Sequence, residues 1–302
     1  NIYSNTQYGL HNANTGYNLN AADNWWGSPS GPAHSGNPGG TGDRVSDRVT
    51  YSPWQGTTPV PQPAPLPTFP APPTYTQVSG AITANTAWTP AQSPYIVVGD
   101  VTVNPGVQLT IEPGVIVKFA AGKSLTVNGI LVAEGTAESR IIFTSIKDDG
   151  VGGDANGDGS ATWPRPGDWG RIAFGDSSVD ALTKLRYAEV RYAGGAGSAL
   201  YVDSVSPTIA DNLIVQNAGY GLHLRNQSAP GVQRNWILDN TSGGIRLEGT
   251  SAGTIADNRL WGNTGYAVYM DASCYPAFSG NEAHYNDLNG VRVSGNVTFN
   301  QT

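Results

Sequence analysis

A short acidic stretch has the residue types and the spacing of a calcium-binding loop. Asp154, Asn156 and Asp158 carry side-chain oxygens at alternate positions, and a glycine follows at position 159, as in loops that turn tightly around Ca²⁺. The glutamate that closes an EF-hand loop is missing, because Arg165 occupies its position. We therefore expect a calcium site that needs one further carboxylate, and the alternative is an acidic, glycine-rich loop without a metal. The candidates for the closing carboxylate are Asp148, Asp149 and Asp168.

A second group of residues combines basic and aromatic side chains. His223, Arg246, Tyr269 and Arg292 each lie between two apolar residues, and they occupy the same phase of a sequence repeat described below. If they point outward from successive coils, they form a strip that could hold an acidic polysaccharide. The alternative is an ordinary solvated face.

Cleavage of a polysaccharide requires either a pair of carboxylates or a metal ion with a basic residue. Asp211 and Asp257 share one phase of the repeat, but Arg234 lies between them and is expected to pair with both, which indicates a surface charge ladder. Glu248 and Asp271 are further acidic candidates. The chain contains neither a serine nucleophile elbow nor an HExxH motif. We therefore assign no catalytic residue and expect a non-enzyme, with a polysaccharide lyase or hydrolase as the alternative.

An internal repeat of 23 residues must position these groups. Two rows of asparagines follow this interval, and each repeat ends in an alternating segment such as Leu222-His223-Leu224. Alternation indicates strands, and a period of this length without helical patterning is typical of one coil of a parallel β-helix. The sequence thus predicts an all-β solenoid with 22 to 23 residues per coil and asparagines at its corners. The asparagine rows are Asn212, Asn235, Asn258 and Asn281, and Asn217, Asn240, Asn263 and Asn286.

The chain divides into three segments by composition. Residues 78–302 carry the coils, with an acidic insertion at about 147–168, and residues 56–77 form a proline-rich linker. Residues 1–55 are predicted to be the closing coils and cap of a β-helix.

Charge and composition exclude several classes of partner. The 302 residues have a formal net charge of −7, and only 13% are charged, so a basic surface for nucleic acid is not expected. No apolar run reaches the length of a transmembrane helix, and we expect no membrane insertion. The single cysteine, Cys274, excludes an internal disulfide.

The two ends of the sequence read as halves of one coil. When residue 1 is written after residue 302, Ile2 aligns with Ile214, and Tyr8-Gly9-Leu10-His11 aligns with the identical residues 220–223. We expect a head-to-tail array in which residues 1–55 complete the β-helix of a preceding unit, either covalently or between subunits. The alternative is that they close a different β-helix. The expected assembly interface comprises Ile2, Asn5, Tyr8, Leu10, Val291, Val293 and Phe299.

Several segments resemble secreted bacterial right-handed parallel β-helix repeat proteins of the pectate-lyase-like superfamily. Residues 113–145 are similar to their first coils, residues 148–169 to a common insertion, and Asn24-Trp25-Trp26-Gly27 to their closing coil. The likeness covers most of the chain outside the proline-rich linker. It implies a right-handed β-helix in an extracellular or cell-surface protein, and its motifs specify the fold better than any activity.

Together these features predict a structural repeat unit of an extracellular filament, sheath or surface stalk that assembles head to tail with copies of itself. Ca²⁺ is the expected cofactor. The alternative function is a carbohydrate-binding or polysaccharide-cleaving β-helix module.

Overall fold

A computed structural model of the protein describes residues 2–13, 16–57 and 75–295. The chain forms two compact units, Asn1–Pro72 and Pro73–Thr302. Most of the predicted proline-rich linker and the predicted interface residue Phe299 lie outside the described residues.

The first unit contains two layers of chain that run parallel to each other. Leu10 forms a parallel bridge with Val45, and the N–H of Ile2 donates to the carbonyl of Trp25 at 2.7 Å. β1 pairs in parallel with β4, and β2 with β3. The strands are β1 (Leu19–Asn20), β2 (Pro32–Ala33), β3 (Gly42–Arg44) and β4 (Val49–Thr50).

The second unit is built from short strands and one 3₁₀ turn, Pro90–Gln92. Before the acidic insertion the strands are β5 (Thr76–Ile82), β6 (Thr86–Trp88), β7 (Tyr95–Val103), β8 (Gln108–Ile111), β9 (Ile116–Phe119), β10 (Leu125–Val127), β11 (Ile130–Glu134) and β12 (Ile141–Ser145). After it they are β13 (Ile172–Phe174), β14 (Lys184–Arg186), β15 (Ala188–Arg191), β16 (Ser198–Asp203), β17 (Thr208–Ala210), β18 (Leu213–Val215), β19 (Tyr220–Arg225), β20 (Gly231–Gln233), β21 (Trp236–Leu238), β22 (Gly243–Leu247), β23 (Thr254–Ala256), β24 (Arg259–Trp261), β25 (Tyr266–Asp271), β26 (Ala277–Ser279), β27 (Glu282–His284) and β28 (Leu288–Ser294).

These strands form a parallel β-solenoid of about ten turns, consistent with a right-handed β-helix. Every third strand pairs along most of the unit, so each coil contributes one strand to each of three rows. β6, β8, β11, β14, β17, β20, β23 and β26 make one row, and the long strand β7 joins the other two. The predicted fold class is therefore confirmed. The first strand begins at Thr76 rather than at about residue 78, because its pairing with β7 starts with Thr76 beside Tyr95.

The core follows from strict alternation in the coils. Leu222, Ile245 and Val268 are register neighbours in successive coils, and each is at least 96% buried. Stacking at the strand spacing of about 4.8 Å places like residues above one another. Among the described residues, no helix is long and apolar enough to cross a membrane.

Asparagines fix the corners between coils, as the sequence predicts. The side-chain amide of Asn235 donates to the carbonyl of Ile209 at 2.9 Å and to Oδ1 of Asn258 at 3.0 Å. Its own Oδ1 accepts the amide of Asn212 at 2.9 Å. The preceding residue, Arg234, has a φ of 52°, in the left-handed region that such a tight corner requires. Each buried amide therefore bonds to the coils on both sides.

Candidate functional site

The acidic insertion lies between β12 and β13, and its return is anchored in the core. The fully buried ring of Trp169 stacks on Phe119, with 4.0 Å between centroids and 6° between planes. The indole N–H of Trp169 donates to the carbonyl of Arg191 at 2.9 Å. The insertion is thus fixed to the β-helix at its C-terminal end.

A buried lysine fixes the start of the insertion. Lys118 of β9 has no exposed surface, because the insertion covers this part of the strand. Its ammonium donates to the carbonyl of Asp148 at 2.8 Å and to the carbonyl of Gly153. Burial lowers the pKa of Lys118, and the nearby Asp148 opposes that shift. One side chain therefore holds both ends of the segment 148–153.

Three carboxylates of the insertion converge on one point. One oxygen from each of Asp149, Asp154 and Asp158 lies within 4.8 Å of the other two. Asp154 also closes the turn, since its carboxylate accepts the N–H groups of Gly157 at 2.7 Å and Gly159 at 2.8 Å. The hydrogen bond from Gly159, followed by that from Gly157, holds the pKa of Asp154 below its usual range despite some desolvation. Asp154 is therefore kept ionised and correctly oriented.

Three side-chain oxygens of the insertion are buried and have no hydrogen-bond donor among the described residues. They belong to Asp149, Asn156 and Asp158, and each is the Oδ1 atom. The amide nitrogen of Asn156 donates to Oδ2 of Asp158 at 2.8 Å. Oδ1 of Asn156 therefore remains free to bind a cation. Burial, then the charge of Asp154, raises the pKa of Asp149. Unsatisfied buried acceptors are costly, and hard oxygen ligands of this kind fit Ca²⁺.

The other two candidates for the closing carboxylate have different partners. Asp148 accepts from the guanidinium of Arg191, with Nη2 at 2.6 Å and Nε at 2.8 Å. Asp168 pairs with Lys147 at 2.8 Å and accepts the hydroxyl of Ser145, the last residue of β12, at 2.8 Å. The structure thus places Asp149 in the cluster with Asp154 and Asp158, whereas Asp148 and Asp168 fasten the insertion to the coils.

Sequence reasoning overlooked the two cations that support this site. Lys118 and Arg191 alternate with apolar residues in β9 and β15, a pattern that predicts outward, solvated side chains. Both do point away from the solenoid core, but there they meet the insertion. A long polar insertion after β12 is the signal that could have indicated a covered face.

The strip of basic and aromatic residues forms one row on the solenoid. His223, Arg246, Tyr269 and Arg292 are register neighbours on β19, β22, β25 and β28. Arg292 donates to the hydroxyl of Tyr266 at 3.2 Å. The four side chains therefore follow one another at the coil spacing.

Glu248 occupies the cationic part of this strip. Its carboxylate lies 2.7 Å from Nη2 of Arg246, 2.8 Å from Nε of Arg225 and 3.2 Å from Nε2 of His223. Burial lowers the pKa of His223, although Glu248 attracts its proton. The strip is thus partly neutralised within the chain.

The predicted pairing of Arg234 is found with Asp211 but not, among the described residues, with Asp257. Arg234 forms two bonds to this carboxylate, at 2.7 and 3.0 Å, and Arg186 adds a third at 3.2 Å. Burial alone raises the pKa of Asp211, but the hydrogen bonds from Arg234 and Arg186 outweigh it and lower the pKa. Asp257 acts on Arg234 as a more distant charge. Asp211 therefore serves an ion-pair network in this structure.

The last described coil leaves apolar side chains open. Val291 and Val293 of β28 are 47% and 52% exposed, whereas their register neighbours Val268 and Met270 are 4% and 8% exposed. A cavity of about 480 Å³ is lined in part by Val291 and Phe278. Within residues 75–295, this end of the β-helix core is uncovered.

The first unit presents the other predicted interface residues. Ile2 and Leu10 are half-buried and pack on a core that contains Trp26. Tyr8 is half-buried under the guanidinium of Arg44, which lies 4.9 Å from its ring centroid. These residues belong to the first of the two parallel layers in chain order.

Asn5 repeats the geometry of an asparagine corner. The residue before it, Ser4, has a φ of 67°. The backbone N–H and the side-chain amide of Asn5 both donate to Oδ2 of Asp43, at 2.9 and 2.7 Å. Asp43 thus takes the place that the next asparagine has in the ladders of the second unit.

Comparisons with known proteins agree with this architecture. Residues 172–302 match the family model described as "Right handed beta helix region". A stretch of 72 residues is 43% identical to Protein bark beetle of Drosophila melanogaster; it makes up 24% of this chain and 2% of the fly protein. The matched stretch therefore spans only a small part of the fly protein's length. No solved structure matches the chain significantly.

Proposed function

We propose that this right-handed β-helix repeat protein is a structural repeat unit of an extracellular filament, sheath or surface stalk. Copies assemble head to tail through the ends of the β-helix, and Ca²⁺ fastens the acidic insertion. The proposal includes no catalytic step. The observation that supports assembly most directly is the exposure of Val291 and Val293 on the last described coil.

An open solenoid end favours association for two physical reasons. Apolar residues that pack against the next coil elsewhere are exposed on the last described coil, and an unpaired strand edge offers N–H and C=O groups to another strand. Solenoids therefore need a cap or a further coil at each end. The first layer of the first unit carries the apolar Ile2 and Leu10. A second copy therefore offers an apolar surface to Val291 and Val293.

Association is expected to depend on concentration and on the exposed valines. The particle mass of the native chain, measured by light scattering, should rise as the concentration increases. Val291→Lys should weaken this association at least tenfold, because it places a charge in the buried contact. Val179→Lys is the matched control, since Val179 is 39% exposed but lies between β13 and β14. A monomer at all concentrations, or equal effects of both variants, would contradict the proposal.

The calcium site is proposed to use Asp149, Asp154, Asn156 and Asp158. Saturating Ca²⁺ should stabilise the chain by about 2.7 kcal/mol at one hundred times Kd, which corresponds to roughly 5–10 °C in Tm for a unit of this size. Asp158→Asn should remove most of this shift in calorimetry, because it removes one ligand charge. Asp176→Asn, at an exposed aspartate, should leave the shift unchanged. Equal shifts in both variants, or none in the native chain, would exclude the site.

A carbohydrate-binding module is the second candidate, favoured by the continuous row from His223 to Arg292. It ranks lower because Glu248 already pairs with Arg246 and His223. Tight binding of a polyuronate by a chain that stays monomeric would favour this candidate over assembly.

A further inference from the structure

The geometry points to one register for the head-to-tail contact, an inference that rests on the proposed function. The chain segment around Ile2 of a second copy lies along β27, and its segment around Leu10 lies along β28. Asn5 of that copy then stands above Asn286, Leu10 above Val291, and the two layers continue the solenoid with no break in its coil phase.

The first support is a complementary pattern of donors and acceptors. In an inner coil, the backbone N–H and the side-chain amide of Asn263 both donate to Oδ1 of Asn286, at 2.9 and 2.8 Å. Asn5 makes the same two donations to Asp43 within its own unit. Among the described residues no donor reaches Oδ1 of Asn5, so this acceptor is available to a preceding asparagine.

The second support is the substitute acceptor at the last rung. The N–H and the amide of Asn286 both donate to Oδ1 of Asn289, at 2.9 Å each. Asn289 is exposed and lies only three residues further along the same coil. Its Oδ1 accepts the same two hydrogen bonds that Oδ1 of an asparagine in the next coil accepts elsewhere in the ladder. Asn5 of a second copy can replace it without leaving either donor of Asn286 unpaired.

The third support is the shared corner and strand pattern. Ser4 before Asn5 has a φ of 67°, as Gln216 before Asn217 has a φ of 56°. Residues 8–11 are identical to residues 220–223 of β19. A matching coil therefore brings the apolar Leu10 onto the exposed Val291 and leaves His11 on the outer face beside Arg292.

Disulfide trapping tests the register. Adjacent coils are about 4.8 Å apart, within the Cα separations that a disulfide allows, so His11→Cys with Arg292→Cys should cross-link under mild oxidation into covalent multiples of the chain. His11→Cys with Ser294→Cys is the out-of-register control, at about 8 Å, and should cross-link at least tenfold more slowly. Cys274 is 5% exposed and is replaced by alanine in both variants.

The outcomes separate the register from the assembly itself. Equal or faster cross-linking of the control in a chain that still associates overturns the register alone. Absence of association in the native chain overturns the proposed function. A disulfide formed only within single chains means that residues 2–13 return to their own β-helix, and this also overturns contact between copies.

A pair of alanine variants supplies an independent measurement. Asn5→Ala should weaken association about tenfold, since two hydrogen bonds at the last rung are lost. Asn289→Ala should leave association unchanged or tighten it, because Asn289 competes with Asn5 for the same donors. Equal weakening by both variants would overturn the exchange of acceptors at Asn286.

Discussion

Replacement of Asn240 by alanine is expected to destabilise the β-helix by about 3 kcal/mol or more. Asn240 is fully buried. Its amide donates to the carbonyl of Ile214 at 3.2 Å and to Asn263 at 2.9 Å, and its Oδ1 accepts the amide of Asn217 at 3.0 Å. Alanine removes these bonds between three successive coils, and it leaves the buried backbone N–H of Asn217, which donates to Oδ1 of Asn240 at 3.2 Å, without its acceptor.

Denaturant unfolding followed by circular dichroism measures this loss. Asn289→Ala is the matched control, because Asn289 makes ladder-type bonds to Asn286 but is exposed at the last described coil. Its effect should stay below about 1 kcal/mol, since water replaces the lost acceptor. Equal losses in the two variants would mean that the ladder adds no stability beyond an exposed hydrogen bond.

The sequence was sufficient to predict the coils because their period is imposed by local rules. An asparagine after a left-handed residue, followed by alternating apolar residues, recurs every 23 residues. Each coil can bury its apolar side chains only if the next coil has the same phase. Register, core and corners thus follow from one repeated pattern.

The partners of the acidic residues could not be predicted in the same way. Asp148 and Asp149 are neighbours in sequence, yet one pairs with Arg191 and the other lies beside Asp154. The insertion has no period, so its backbone path decides which carboxylate meets which partner. That path depends on Lys118, whose two bonds to backbone carbonyls leave no trace in the sequence pattern.

In the proposed stalk or filament, the coils around the insertion would need the same stiffness as the coils that the asparagine ladders connect. The asparagine ladders tie coil to coil after β14, whereas the acidic insertion interrupts the chain between β12 and β13. A metal ion at Asp149, Asp154 and Asp158 would reinforce this interruption. On this view Ca²⁺ stabilises the part of the solenoid that lacks a ladder.

Loss of the Arg191 side chain tests how firmly the insertion is held. Arg191→Met is expected to destabilise the chain by about 3–5 kcal/mol, because Asp148 is 5% exposed and would keep a buried charge without its cation. Burial alone lowers the pKa of Arg191, but the carboxylates of Glu189 and Asp148 outweigh it and raise the pKa. The guanidinium is therefore charged in the folded chain at all ordinary pH values.

The same variant is expected to respond more strongly to calcium. Removal of a positive charge beside the insertion makes the electrostatic potential at its carboxylate cluster more negative. Ca²⁺ should therefore bind more tightly and restore part of the lost stability. Arg234→Met is the matched control. Arg234 pairs with Asp211 but its side chain is 48% exposed, and its loss should cost at most about 1 kcal/mol with no change in the calcium response. If Arg191→Met and Arg234→Met behaved alike in calorimetry with and without Ca²⁺, the Asp148–Arg191 pair would be an ordinary surface contact, and the insertion would be held by Lys118, Asp168 and Trp169 instead.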